Sequence, residues 1–200
     1  MMKLNGLSQI APVMLALGSL LAVSCAGQAP EAKPKTYSTP PATVIDTNKE
    51  YIATIETEKG NLVLELFASD VLITVNNFVF LAREGFYDGS TFHRVMPGFM
   101  AQGGDPTGTG MGGPGYIFDN EITEHTHAAG ALSMANAGAD TNGCQFFITY
   151  EARHELDGDY SVFGQLIEGM DVLEKLTPRD PRQNPDFEGD RIIRITISES

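Results

Sequence analysis

The sequence predicts a mainly β domain, built as a closed barrel rather than as a wound α/β sheet. Past residue 50 it has many short apolar runs, separated by turn signals that contain glycine. Only two segments have helical spacing, one that begins at Thr74 and one at 170–176. Many short strands with few helices are typical of an antiparallel barrel.

The first 24 residues predict a lipoprotein-type signal peptide that is cleaved before Cys25. Lys3 gives a thin positive region, and residues 10–23 are largely apolar but too few for a comfortable membrane span. The small residues before Cys25 resemble the lipobox of bacterial lipoproteins, in which the cysteine is acylated, although Ala22 replaces the usual leucine. Cys25 is therefore the predicted lipidation site. The alternatives are an ordinary signal peptide and an uncleaved anchor.

Residues 25–48 predict a disordered tether between this anchor and a folded domain at 49–200. The tether is rich in Ala, Pro, Thr and Lys, so it has too little apolar surface to fold. A chain of 200 residues suits one globular domain with such additions. The anchor predicts an exported cell-envelope lipoprotein, held in the periplasm or on the outer face of a membrane.

The domain begins with a predicted hairpin, whose strands at 51–57 and 61–67 alternate partly between apolar and polar residues. A helix follows from Thr74 and stops at Gly85. The remaining predicted elements are two short strands split by Pro97–Gly98, strands at 131–134, 146–149, 161–167 and 191–198, and a helix at 170–176.

The segment 92–105 carries the first candidate site residues. Arg94 and Gln102 are close enough in sequence to share one surface with the apolar residues Phe99 and Met100. An apolar surface with a few convergent donors is typical of a ligand pocket. An isolated arginine of this kind would more often be a solvated residue on an edge strand.

A second block of motifs gives the chain a family resemblance. It runs Gly130-Ala-Leu-Ser-Met-Ala-Asn136-Ala-Gly, then Asn142-Gly-Cys-Gln145-Phe-Phe147-Ile-Thr149, and is followed by Leu156-Asp-Gly and Val162-Phe-Gly164. In this order the motifs resemble the cyclophilins, which are peptidyl-prolyl cis–trans isomerases. The resemblance covers residues 51–200 and implies a closed eight-stranded antiparallel β-barrel capped by two α-helices.

The resemblance also implies a role for each candidate residue. Arg94 resembles the catalytic arginine, whose guanidinium reaches the prolyl amide of the substrate. The matches to the apolar wall around the proline ring are Phe99, Met100, Phe147 and Leu156, with Tyr160 where many members carry histidine. The matches to the groups that hold the flanking peptide and line the next subsite are Gln102, Asn136, Ala135, Ala137 and Gln145. Bond rotation breaks no covalent bond, so the predicted enzyme requires neither a metal nor another cofactor.

The predicted partners are proline-containing peptides and unfolded exported proteins, whose folding the enzyme would assist, and a membrane reached through the lipid anchor. A net charge of −13 makes nucleic acid an unsuitable partner. Weak cyclosporin binding is expected, because Glu155 stands where the best-known members carry tryptophan and the chain has none. The alternative function is a catalytically weak proline-peptide-binding chaperone or scaffold module.

The other candidate features have ordinary explanations. Cys144 is expected to pack near the pocket rim, and His93 to be structural. The histidines at 125, 127 and 154 are expected to be solvated surface residues rather than metal ligands. The glycine-rich run 108–115 lacks the Gly-Lys-Ser/Thr ending of a phosphate-binding loop.

Overall fold

The computed structural model describes residues 35–183 and 185–200, which form one antiparallel sheet with two α-helices. The strands are β1 (Tyr51–Thr57), β2 (Gly60–Leu66), β3 (Thr91–Phe92), β4 (Arg94–Met96), β5 (Met100–Gly103), β6 (Ala131–Met134), β7 (Phe146–Thr149), β8 (Val162–Glu168) and β9 (Asp190–Glu199). The helices are α1 (Leu72–Arg83) and α2 (Met170–Glu174). The predicted signal peptide, Cys25 and the first part of the predicted tether lie outside the described residues. Within them, no helix has the length and apolar character that a membrane crossing requires.

The sheet is a nearly closed barrel. Its strand order is β3-β9-β1-β2-β8-β6-β7-β5-β4. The two end strands, β3 and β4, are consecutive in the chain and only His93 separates them, so the sheet curls back to where it began. This confirms the predicted fold class, with nine strands in place of eight. The short β3, which pairs with the start of β9, was not predicted.

The hairpin of β1 and β2 forms where the sequence predicted it. Thr57 pairs with Gly60 across the turn, and its hydroxyl donates to the Gly60 carbonyl at 2.7 Å. Residues on β1 alternate strictly between buried and partly exposed, because one face of the hairpin covers the core. Ile55 on β1 and Leu62 on β2 are fully buried on that face.

Helix α1 covers the core and begins two residues before the predicted Thr74. Its N-cap residue, Val71, offers no side-chain cap. The Glu121 carboxylate takes that place by accepting from the backbone N–H groups of Ile73 at 3.0 Å and Thr74 at 2.6 Å. A carboxylate at this position satisfies two otherwise unpaired donors and complements the positive end of the helix dipole.

Residues 35–48, called the N-terminal strap below, differ from the predicted tether. They form no helix or strand, yet they lie on the domain, and Ile45 belongs to its core. The Tyr37 ring packs against Phe80 and Phe86. Composition predicted disorder, since the segment has few apolar residues, but two apolar side chains and several polar contacts are enough to fasten it.

Candidate active site

Arg94, Gln102 and Phe147 lie in one row across three neighbouring strands. Arg94 on β4 pairs with Gln102 on β5, which in turn pairs with Phe147 on β7. Residues directly opposite each other on antiparallel strands point to the same face of the sheet. The barrel therefore brings a guanidinium, an amide and an aromatic ring onto one surface.

This row opens on a cavity of about 110 Å³. Such a volume is too small for a drug-sized ligand but suits a single small ring. Nine of the eleven candidate residues line it: Arg94, Phe99, Met100, Gln102, Ala135, Asn136, Phe147, Leu156 and Tyr160. Most of the candidate residues selected from the sequence therefore lie around a single cavity.

The two remaining candidates, Ala137 and Gln145, line an adjoining cavity of about 310 Å³. Gln102, Ala135 and Asn136 line both cavities, so the two are compartments of one groove. The far wall of the larger compartment is built by the glycine-rich segment 110–117 and by residues 141–144. A peptide held at the shared residues would reach both compartments.

Arg94 is half-buried, and both burial and nearby charged groups act on its guanidinium. Desolvation lowers the pKa of Arg94, and the nearby charge of Arg182 lowers it further, while Asp180 and Tyr160 act in the opposite direction. The guanidinium nevertheless stays cationic at neutral pH, because an arginine loses its proton only far above that pH. Its guanidinium carbon lies 5.9 Å from the centroid of the Phe99 ring. The site therefore offers a cation beside an apolar wall.

A second guanidinium, which the sequence did not single out, also contacts Phe99. The Arg153 guanidinium carbon lies 5.4 Å from the ring centroid. Arg153 donates to the Gly98 carbonyl and, at 3.0 Å, to the Glu151 carboxylate. Two cations therefore approach the same ring, and Arg153 ties the β4–β5 turn to the segment that follows β7.

Gln102 is oriented by a relay of amides. Its Nε2 donates to Gln145 Oε1 at 2.9 Å, and Gln145 Nε2 donates to the carbonyls of Gly110 at 3.1 Å and Gly112 at 2.9 Å. The glycine-rich loop thereby fixes both amide side chains of the groove. This is a structural role for the loop, in keeping with the absence of a phosphate-binding motif.

The loop is itself organised by Asp105, which is fully buried and which sequence reasoning missed. Its carboxylate accepts from the backbone N–H groups of Thr107 at 2.7 Å, Gly110 at 2.6 Å and Gly112 at 3.1 Å. Desolvation acts to raise the pKa of Asp105, but these bonds together outweigh it and lower the pKa. An acidic residue directly before a glycine-rich loop was the available sequence signal.

Phe147 is enclosed by two further rings. It meets Tyr160 edge-on, with 5.7 Å between centroids, and stacks parallel to His127, also at 5.7 Å. His127 is fully buried, so the prediction that it is a solvated surface residue is wrong. Its Nδ1 lies 2.7 Å from Asp157 Oδ1 and its Nε2 lies 3.0 Å from Ser133 Oγ. Asp157, 30 positions away in the chain, and Ser133, on the following strand β6, satisfy both ring nitrogens, which makes burial possible.

Asp157 directly follows the pocket residue Leu156. Desolvation, the largest single influence, acts to raise the pKa of Asp157. Hydrogen bonds from the backbone and ring of His127 and from the ring of His154 together outweigh it and lower the pKa to about 2. The carboxylate is therefore ionised at neutral pH and anchors this end of the pocket wall.

Two further residues, Cys144 and Glu155, are each next to a groove residue in the chain. Cys144 is buried and borders the larger compartment, where burial and the charge of Asp105 raise the pKa of its thiol. A raised pKa keeps the thiol protonated and unreactive, as expected for a packing residue. Glu155 is exposed and does not line the smaller cavity; its carboxylate lies 3.8 Å from Arg153 Nη1.

In residues 35–183 and 185–200 there is no cluster of three or more His, Cys, Asp or Glu suited to a metal ion.

The fold and the groove define a class: a β-barrel with a peptide-sized groove, one half-buried arginine and a small apolar pocket. Residues 52–197 match the family model described as cyclophilin type peptidyl-prolyl cis-trans isomerase/CLD. The chain therefore belongs to the cyclophilin-type peptidyl-prolyl cis–trans isomerases, and it is an enzyme of that family.

Relatives and solved structures agree with this assignment. A peptidyl-prolyl cis-trans isomerase of Synechococcus elongatus is 50% identical over 147 residues, which is 72% of this chain and 94% of the relative. Peptidyl-prolyl cis-trans isomerase B of Bacillus subtilis is 50% identical over 135 residues, or 66% of this chain and 94% of the relative. The crystal structure of a Cryptosporidium parvum cyclophilin type peptidyl-prolyl cis-trans isomerase is 40% identical to this chain and superimposes with a TM-score of 0.69. The match covers 74% of this chain and 98% of the Cryptosporidium chain. The same protein was also solved in the presence of the dipeptide Ala-Pro.

Proposed function

We propose that the chain rotates X–Pro bonds in the groove, with Arg94 as the catalytic residue. The observation that carries this is the row of Arg94, Gln102 and Phe147 on a cavity of about 110 Å³. The proline ring fits the cavity between Phe99 and Phe147, as the family resemblance implies. The Ala-Pro dipeptide used with the Cryptosporidium protein supports proline peptides as the ligands.

The chemistry requires only that a twisted amide bind better than a planar one. Amide resonance opposes rotation with a barrier of roughly 18–20 kcal/mol. In the twisted state the nitrogen lone pair is no longer delocalised, so it can accept a hydrogen bond from the Arg94 guanidinium. The half-buried, pre-positioned cation gives this bond strength without solvent reorganisation. Gln102 and Asn136 hold the flanking backbone so that only the prolyl bond turns.

We propose that the natural substrates are exported proteins in the course of folding. The support is the sequence of residues 1–25, which has the pattern of a signal peptide that ends at an acylated cysteine. Lipidation of Cys25 would hold the enzyme at the cell envelope, where unfolded exported chains appear. The folding role follows from slow uncatalysed X–Pro isomerisation, which takes about tens to hundreds of seconds.

A direct test uses the protein from residue 35 onwards, which keeps the strap and the domain. Exchange NMR on an Ala-Pro peptide, with micromolar protein and a chelator present, should show cis–trans exchange well above the peptide alone. The same rate with and without the chelator is expected. A folded protein that binds the peptide but leaves its exchange at the blank rate would instead support the catalytically weak binding module.

A further inference from the structure

The N-terminal strap lies outside the segment that the family model matches, which begins at residue 52. It is nevertheless fastened to the domain by apolar contacts. Ile45 is only 9% exposed and is part of the core. The Tyr37 ring meets the Phe80 ring edge-on at 5.2 Å between centroids and lies 6.4 Å from the Phe86 ring. These contacts fix a segment that has no regular secondary structure of its own.

A buried amide on α1 clamps the middle of the strap. Asn76 Oδ1 accepts from the backbone N–H of Val44 at 2.7 Å, and its Nδ2 donates to the Ala42 carbonyl at 3.1 Å. Asn76 is almost fully buried, so both hydrogen bonds would be costly to leave unmade. The clamp therefore sets the path of the strap across α1.

The strap also supports the wall of the groove from behind. The Tyr37 N–H donates to the Pro114 carbonyl at 2.8 Å, and Pro114 lines the larger compartment. The two backbones approach so closely that a Cβ on Gly115, whose φ is +99°, would lie 2.5 Å from the Tyr37 carbonyl oxygen. Only glycine permits this approach and this backbone conformation. Residues 113–117 are therefore held between the strap and the cavity.

The neighbouring residue on α1 holds the same wall at a second point. Asn77 is buried; its Oδ1 accepts from the Tyr116 hydroxyl at 2.5 Å, and its Nδ2 donates to the Gly143 carbonyl at 2.8 Å. Tyr116 and Gly143 both line the larger compartment. Adjacent asparagines on one helix thus connect the strap and the groove wall to a common support.

We propose that the strap is a specificity-determining element of the groove, an inference that rests on the isomerase function proposed above. By supporting residues 113–117, it sets the width of the larger compartment. The described strap residues make no hydrogen bond to the residues that line the smaller, proline-sized cavity. The strap therefore governs the fit of the residues that flank proline and leaves bond rotation itself unchanged.

The lining of the larger compartment indicates which flanking residues it selects. Met111 is 89% exposed and Ile117 is 62% exposed, and both face this compartment together with Pro114 and Ala137. Exposed apolar side chains of this size gain free energy when a partner covers them. The preferred substrate is therefore a peptide with a large apolar residue beside the X–Pro pair.

The test compares two peptides that share an Ala-Pro bond, one flanked on both sides by glycine and the other by phenylalanine. The variants, made in the full chain, are Tyr37→Ala and Asn76→Ala. Tyr37→Phe is the matched control, because the Tyr37 hydroxyl is buried without a hydrogen-bond partner among the described residues. Both alanine variants should raise KM for the phenylalanine peptide about five- to tenfold, with kcat and the glycine peptide unchanged. Tyr37→Phe should behave as the unmodified chain.

Equal losses with both peptides, or no loss with either in the folded variants, would overturn the proposal. A second readout does not depend on catalysis: the backbone amide NMR signals of residues 113–117 should shift in both alanine variants. The affinity for the phenylalanine peptide, measured by titration, should fall in parallel. If the unmodified chain isomerises neither peptide, the proposed function fails. In that case, unchanged loop signals and peptide affinity in the alanine variants would reject the strap's role as well.

Discussion

A single charged group, Arg94, carries the proposed chemistry. Arg94→Ala should lower kcat/KM by about one to two orders of magnitude, or roughly 1.4–2.7 kcal/mol of transition-state stabilisation. Arg94→Lys should recover little, because an ammonium cannot reproduce the planar fork of donors. The matched control is Arg182→Ala, which removes a nearby exposed positive charge and should change the rate only slightly. Near-normal activity in Arg94→Ala would end the proposed mechanism.

Glu155 governs the expected response to cyclosporin. An ionised carboxylate accepts but cannot donate a hydrogen bond, and it loses water unfavourably against an apolar macrocycle. We expect inhibition to be weaker than in Glu155→Trp by at least about tenfold, or roughly 1.4 kcal/mol, while peptide isomerisation is similar in both. Glu151→Trp is the control, because Glu151 is another exposed carboxylate that contacts Arg153. Equally tight inhibition of the unmodified chain and Glu155→Trp would show that this position does not govern drug binding.

Asp157 should make the domain sensitive to acid. The folded pKa is about 2, whereas an unfolded aspartate titrates near 3.9. Its stabilising contribution is therefore present above the unfolded pKa and is lost as the pH falls through 4 towards 2. Urea unfolding between pH 5 and pH 2.5 should show a smaller loss of stability for Asp157→Asn than for the unmodified chain. The exposed Asp186→Asn should follow the unmodified chain, and parallel curves for Asp157→Asn would contradict the assignment.

At the scale of one element, the glycine-rich loop depends on Asp105. Asparagine at this position would replace one carboxylate oxygen by an amide NH2 group, which cannot accept from the backbone N–H groups. The negative charge would also be lost, so several charge-assisted hydrogen bonds would be lost or weakened. Asp105→Asn should lower the free energy of unfolding by about 2–3 kcal/mol. It should also lower kcat/KM about three- to tenfold, because Gln145 and then Gln102 lose their support.

Urea denaturation and the peptide assay measure the two effects of Asp105→Asn separately. Asp119→Asn, a change to an exposed aspartate on the segment that follows the loop, is the control and should alter neither quantity. An Asp105→Asn protein as stable as the unmodified chain would show that the loop holds its shape without this carboxylate.

For the whole molecule, the proposal of a lipid anchor can be tested in a bacterial host. Full-length protein should partition into detergent, and Cys25→Ser should block lipidation and leave the precursor uncleaved. The control is Cys144→Ser, since Cys144 is buried in the domain and should not affect processing. A lipid-free mature chain that begins downstream of Cys25 would show that an ordinary signal peptide is at work.

The sequence determined most of the local structure and the composition of the site. β1, β6 and β7 begin and end where apolar patterning and turn residues placed them, because strand periodicity is a property of neighbouring residues. The motifs around Arg94 and Asn136 identified the residues that line the groove, since each motif is continuous in the chain. A strand of two residues is too short to give a recognisable apolar pattern, so β3 was not predicted. It nevertheless forms one end of the sheet.

Only the tertiary structure decided that the polar residue His127 is buried and that the N-terminal strap packs on the domain. His127 belongs to a polar stretch, and its burial depends on Asp157, which lies 30 positions further along the chain, as well as on the nearer Ser133. The strap has the composition of a tether, and it is held by Asn76 and Pro114, which lie 32 or more positions away in the chain. Long-range partners of this kind supply the hydrogen bonds and apolar area that make burial favourable. Composition and periodicity show only which hydrogen-bonding groups and apolar side chains a segment has. Which residues those groups contact is decided by the tertiary structure, because the partners come from segments that meet only when the barrel closes.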